Sequence, residues 1–165
     1  MDFINTGADE ALVKSLGVPV APNAAFTQAV CAAVLFNNDL HHIHLHASGH
    51  RFDRIHSMTE DYYYRVANDL DTLAELALEY NQSVPNFSLA GNFIGWTVSQ
   101  RPTYGWLKAL HEVYEDMALF ISTMSSLRSQ PELKPDAQSK LDDIMRYWNK
   151  ELSYKLERRM EDNHG

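Results

Sequence analysis

At 165 residues, 45% hydrophobic and 22% charged, the chain has the size and composition of one globular domain, which excludes a collagen-like repeat, a long coiled coil and a largely disordered chain. With 14 basic against 22 acidic side chains the net charge is −8, which disfavours DNA as a partner because DNA affinity rests on neutralising phosphates with Lys and Arg. The single cysteine, Cys31, excludes an intrachain disulfide framework and any Cys-rich zinc or iron–sulfur site, so a metal would be held by nitrogen and oxygen donors.

Residues 1–22 read as an irregular extension with one short helix around Glu10 to Leu16, closed by Pro19 and Pro22. The bundle domain is expected over 23–162. Its first helix starts at Asn23, a good N-cap, and carries Phe26, Val30, Ala33, Asn37, Leu40 and His44 at helical spacing. It ends by Ser48 and Gly49, where the glycine suits a C-terminal cap. A second helix is predicted from about Phe52 to Tyr80, with Tyr62, Val66, Leu70, Leu73 and Ala77 as its apolar stripe. Residues 81–105 form a long connection holding a short helix of its own, about Ser88 to Trp96.

Trp106, Leu110, Val113, Met117, Phe120, Met124 and Leu127 then alternate steps of four and three, the spacing of a helix packed lengthwise in a bundle. Pro131 and Pro135 break it, and Leu141, Met145, Trp148, Leu152 and Leu156 mark the last helix. Four long helices with a long crossover between the second and third describe an all-α, ferritin-like four-helix bundle. Cys31, Trp106, Trp148 and the bundle-spaced methionines are expected in the core. No apolar run reaches the roughly 20 residues of a membrane span, and Met1 to Asn5 lack the basic region of a signal peptide, so a cytoplasmic protein without membrane contact is expected.

Six of the eight histidines (His41, His42, His44, His46, His50 and His56) fall within sixteen residues. On the second helix, His56 with Glu60 and Asp71 with Glu75 form two polar pairs at i, i+4. At about 100° per residue all four share one face, turned away from the apolar stripe. The pairs lie about 22 Å apart along the axis at 1.5 Å per residue, so one helix cannot bring both to one metal. Two copies of the helix packed antiparallel about a two-fold axis would set His56 and Glu60 of one chain opposite Asp71 and Glu75 of the other, with Tyr64 and Ala67 near the axis. Adding His44 from the first helix makes a shell of two imidazoles and three carboxylates, suited to iron and unsuited to structural zinc.

The stretch from His44 through Gly49, Phe52 and His56 to Glu75 resembles the Dps-like miniferritins: His44, His56 twelve residues on, Glu60 four further, then Asp71 and Glu75. In looser form the likeness covers residues 23–160. The resemblance implies a ferroxidase with these five residues as its two-iron, intersubunit site, hydrogen peroxide as the preferred oxidant, a hollow dodecamer that stores ferric iron, and protection against oxidative damage. Two departures stand out: Leu45 occupies the position of a tryptophan common in relatives, with Tyr62, Tyr63 and Tyr64 nearby, and the lysine-rich DNA-binding tail is absent.

Imidazole ligates only as the neutral base, so Fe(II) binding should weaken below about pH 6. Asp136, Asp142 and Asp143 are candidate pore-lining acids, and His111 with Glu115 is read as a solvated contact. Two other classes remain open at this point. One is a shell-forming structural or DNA-associated protein with weak ferroxidase activity. The other is a metal-dependent hydrolase built on His42, His44 and His46, which would need these alternating residues on a strand.

Overall fold

The computed structural model describes residues 24–84 and 103–161. Four long helices dominate it: α1, Ala24–His46; α2, Phe52–Glu79; α3, Trp106–Arg128; and α4, Pro135–Lys150. A π-helical turn, Glu151–Leu156, continues α4 into the short α5, Glu157–Glu161. Among the described residues there is no strand; one isolated parallel bridge joins Ala47 to Tyr104. The fold is an all-α helical bundle, as the spacing predicts. The N-terminal extension, Asn23 and the expected crossover helix lie outside the described residues.

The core follows the apolar stripes. All seven α3 positions at alternating steps of four and three are buried, together with Phe26, Val30, Ala33 and Leu40 of α1 and Tyr62, Val66, Leu73 and Ala77 of α2. Phe36, Phe120, Tyr62 and Tyr147 surround the Trp148 ring, with Phe36 at 5.2 Å and Tyr62 at 5.5 Å between centroids. Cys31 is buried in α1, and burial raises its thiol pKa.

Three polar links cross this core. The Trp148 indole N–H donates to Asp69 Oδ2 at 2.7 Å, Tyr62 Oη donates to Glu151 Oε2 at 2.9 Å, and Asn37 Nδ2 donates to the Tyr63 carbonyl at 2.7 Å. Each satisfies a polar atom that burial would otherwise strand, and each ties two helices in one register.

The junction between α1 and α2 positions the histidines. α1 ends at His46, and Gly49 adopts φ +79°, a left-handed conformation that glycine takes without strain. Arg51, also left-handed at φ 68°, precedes α2 with no side-chain cap, and its carbonyl accepts the first-turn N–H groups of Arg54 and Ile55. Ser48 N–H donates to the Tyr104 carbonyl and Tyr104 N–H to the His46 carbonyl, both at 3.0 Å, which fixes the end of α1 to the entry of α3.

Candidate functional site

His44 and His56 face each other across the tight α1–α2 junction. Their rings stack at 3.6 Å between centroids and 24° between planes. His44 Nδ1 lies 3.1 Å from the His56 carbonyl, and His56 Nδ1 lies 3.3 Å from the His44 carbonyl. A carbonyl oxygen only accepts, so each ring donates from Nδ1, and in the neutral ring Nε2 is then the lone-pair nitrogen. Thr59 closes the base of the pair: its hydroxyl donates to the Ile55 carbonyl at 2.8 Å and lies 3.4 Å from His44 Nδ1. Phe52 stacks on His56 at 5.1 Å, and Tyr63 meets His44 edge-on at 5.3 Å. His44 is buried and His56 half-buried.

The carboxylates lie elsewhere. Glu60, one turn beyond His56, is half-buried, whereas Asp71 and Glu75 are exposed on the outer face of α2 with Tyr64, Ala67 and Leu78. Among the described residues of a single chain, no three His, Cys, Asp or Glu side chains come close enough to hold a metal ion. The fold therefore brings His44 and His56 together and leaves Asp71 and Glu75 apart from them, as their 22 Å separation along one helix requires.

Three other histidines, His41, His42 and His46, pack against aromatic rings or the helix. His41 stacks on Tyr63 at 4.9 Å, and His42 lies edge-on to Tyr104 at 5.8 Å and 4.3 Å from the His46 ring. His46 Nδ1 donates to the His42 carbonyl at 2.9 Å. Because His42, His44 and His46 sit on α1, they fan around a helix, and the hydrolase reading, which needed a strand, is overturned. The three candidate pore acids are each engaged by a cation: Asp142 by Arg128 at 3.0 Å, Asp143 by Arg146 at 2.8 Å and Asp136 by Lys140 at 3.7 Å. Arg128 also lowers the Asp142 pKa through its hydrogen bonds. His111 and Glu115 form an exposed contact at 3.4 Å, as expected.

Sequence reasoning missed a second acidic grouping. Asp39 on α1 and Glu112 and Asp116 on α3 repel one another, and burial, the larger cause, raises Asp39 to about 6 and Asp116 to about 7. It also missed the buried Asp69 and Glu151, whose signal was available: each falls on the core face of its helix, at a position where the stripe expects an apolar residue. Burial, the larger cause, raises the Asp69 pKa even though Trp148 and Arg65 oppose it by favouring the anion.

No family model matches the chain, and no curated protein does. Several solved structures resemble it in fold. That of antigen TpF1 from Treponema pallidum is 22% identical, with 86% of this chain and 97% of that one covered and a TM-score of 0.63. That of Helicobacter cinaedi CAIP is 18% identical, with 82% and 96% covered and a TM-score of 0.70. These findings correct the family expectation. The assignment to the Dps-like miniferritins is withdrawn, and with it peroxide-driven Fe(II) oxidation, ferric storage in a dodecameric shell and protection against oxidative damage. Likeness at this identity shows a shared fold, and function resides in sites that a fold does not specify. The chain shares the all-helical fold of TpF1 and CAIP.

Proposed function

We propose that the chain is a self-associating helical bundle that holds a divalent transition metal between two copies. His44 and His56 of one copy, with Glu60 beside them, face Asp71 and Glu75 of the other. One observation carries this reading: the reciprocal Nδ1–H to carbonyl bonds of His44 and His56, which orient both rings and leave the Nε2 lone pair of each neutral ring for a metal. Metal-ligating histidines characteristically donate their other N–H to a carbonyl or carboxylate in this way.

The mixed nitrogen and oxygen shell suits Fe(II), and up to two ions per shared site match its five side chains. The exposed α2 face supplies the surface for association, with Ala67 short enough for close approach and Tyr64 and Leu78 large and apolar at 60% and 63% exposure. Among the described residues no helix is long and apolar enough to cross a membrane. A cytoplasmic location belongs to this proposal, supported by a lone buried thiol that needs no oxidising compartment.

Complementation tests it. A His44→Ala/His56→Ala variant and an Asp71→Ala/Glu75→Ala variant should each bind Fe(II) and Co(II) at least tenfold more weakly than wild type in anaerobic calorimetry. Mixed and re-annealed, they should recover about a quarter of the wild-type sites, because random pairing makes half the dimers mixed and each mixed dimer keeps one of its two sites. Fe(II) oxidation in air is a second readout on the same samples. Full binding by either variant, or a chain that sediments only as an 18.9 kDa monomer, would overturn the reading.

A further inference from the structure

Thr59 stands on the core face of α2, four residues after Ile55 and three before Tyr62, where the apolar stripe leads one to expect a valine or leucine. It is 0% exposed, in a stretch where Ile55, Met58 and Tyr62 are buried as well. Valine would have the same shape and no polar atom to satisfy, so packing alone does not account for the hydroxyl.

The hydroxyl has one proton and two carbonyls within reach, Ile55 at 2.8 Å and His56 at 3.2 Å. Carbonyl oxygens only accept, so that proton goes to the helix backbone, and the Thr59 oxygen offers its other neighbours lone pairs alone. One such neighbour is His44 Nδ1, 3.4 Å away and itself 3.1 Å from the His56 carbonyl. Nδ1 therefore meets two acceptors from α2, and a proton on Nδ1 serves both as a three-centre bond. The opposite tautomer, with its proton on Nε2, would set a lone pair on Nδ1 against the same two oxygens. Acceptors would then be in contact, or the hydroxyl proton would be drawn off the backbone. His44 is only 8% exposed, so bulk water has little access to relieve that conflict.

We propose that Thr59 is a positioning residue for the metal site: its hydroxyl oxygen holds the His44 proton on Nδ1 and so reserves Nε2 as the ligating nitrogen. The inference rests on the reading of His44 as a ligand. Which imidazole nitrogen ligates is set by the hydrogen bond that the other one makes. A ring already held in the right tautomer and at the right angle takes up its ion without first turning or moving a proton. Thr59 acts through His44 and is not itself a ligand.

Two substitutions separate the oxygen from the shape: Thr59→Val keeps the branched side chain without the hydroxyl, and Thr59→Ser keeps the hydroxyl without the methyl. Nitrogen NMR of the chain, kept metal-free with EDTA at about pH 8, where an ordinary imidazole is neutral, reads the tautomer. Wild type and Thr59→Ser should show His44 protonated on Nδ1, and Thr59→Val should populate the Nε2–H form severalfold more. In calorimetry at the same pH, Co(II) should bind Thr59→Val about tenfold more weakly than wild type, the low end for loss of a group that orients a metal-ligating histidine, and Thr59→Ser within about twofold of wild type. An unchanged tautomer or an unchanged affinity in Thr59→Val, or a loss in Thr59→Ser equal to that in Thr59→Val, would overturn the proposal. A wild type that binds no Co(II) removes the metal reading of His44 instead, and the tautomer populations of the metal-free chain then still decide what Thr59 does to the ring.

Discussion

The Tyr62 hydroxyl donates to Glu151 Oε2 at 2.9 Å inside the bundle and so joins the middle of α2 to the first residue of the π-helical turn. Burial, together with the Glu151 anion, pushes the Tyr62 pKa far up, so the hydroxyl stays protonated and remains a donor across the working pH range. Tyr62→Phe removes the donor and leaves a buried carboxylate with Lys155 as its charged partner. The expected loss is about 1–3 kcal/mol, read as a lower urea midpoint with an unchanged slope. An unchanged midpoint would mean that this link contributes nothing to the stability of the contact between α2 and the π-helical turn.

Asp69 is the larger liability. It is 3% exposed and accepts from Trp148 at 2.7 Å and from Arg65 at 3.2 Å. Asp69→Ala orphans the buried indole N–H and leaves Arg65 without this carboxylate, and a loss of about 2–4 kcal/mol is expected. Asp69→Asn keeps an acceptor for Trp148 and should lose less than half as much. Equal losses in the two variants would show that hydrogen bonding to Trp148 is not what Asp69 supplies.

Asp116 sets a pH dependence whose sign is fixed. Its folded-state pKa is raised to about 7 from an ordinary value near 3.8. Between these values the folded chain holds a proton that the unfolded chain has released, so this group's stabilising contribution is complete below pH 4 and is lost as pH rises towards 7. Asp116→Asn removes the ionised form. It should raise the melting temperature at pH 8 by about 3 °C, equivalent to about 1 kcal/mol in a domain of this size, and change little at pH 4. A benefit at pH 4 that matches or exceeds the one at pH 8 would contradict the assignment.

Asp71 and Glu75 separate binding from folding. Both are exposed and take part in none of the links that cross the core, so Asp71→Asn/Glu75→Gln should leave the urea midpoint of the metal-free chain within about 0.5 kcal/mol of wild type. The same variant should lose the stabilisation that Co(II) confers on wild type, about 2.7 kcal/mol at a hundredfold excess over Kd. Stabilisation by Co(II) equal to that of wild type would remove both acids from the metal shell.

What the sequence determined by itself was the four long helices and the side each one buries. The α3 stripe from Trp106 to Leu127 could be read off its spacing, because burying one helical face requires apolar residues every three or four positions whatever the neighbours are. The common outer face of Asp71 and Glu75 followed from the same periodicity. Tertiary structure decided what that periodicity cannot encode. The stacking of His44 on His56 depends on the left-handed residues Gly49 and Arg51 turning α1 back onto α2. The Trp148–Asp69 and Tyr62–Glu151 bonds join residues 79 and 89 positions apart, and the unpaired Trp106 N–H became visible only once every neighbour was in place. Helical spacing reports which side of a helix is buried; which polar atoms meet there depends on how the helices pack, and so on contacts distant in sequence.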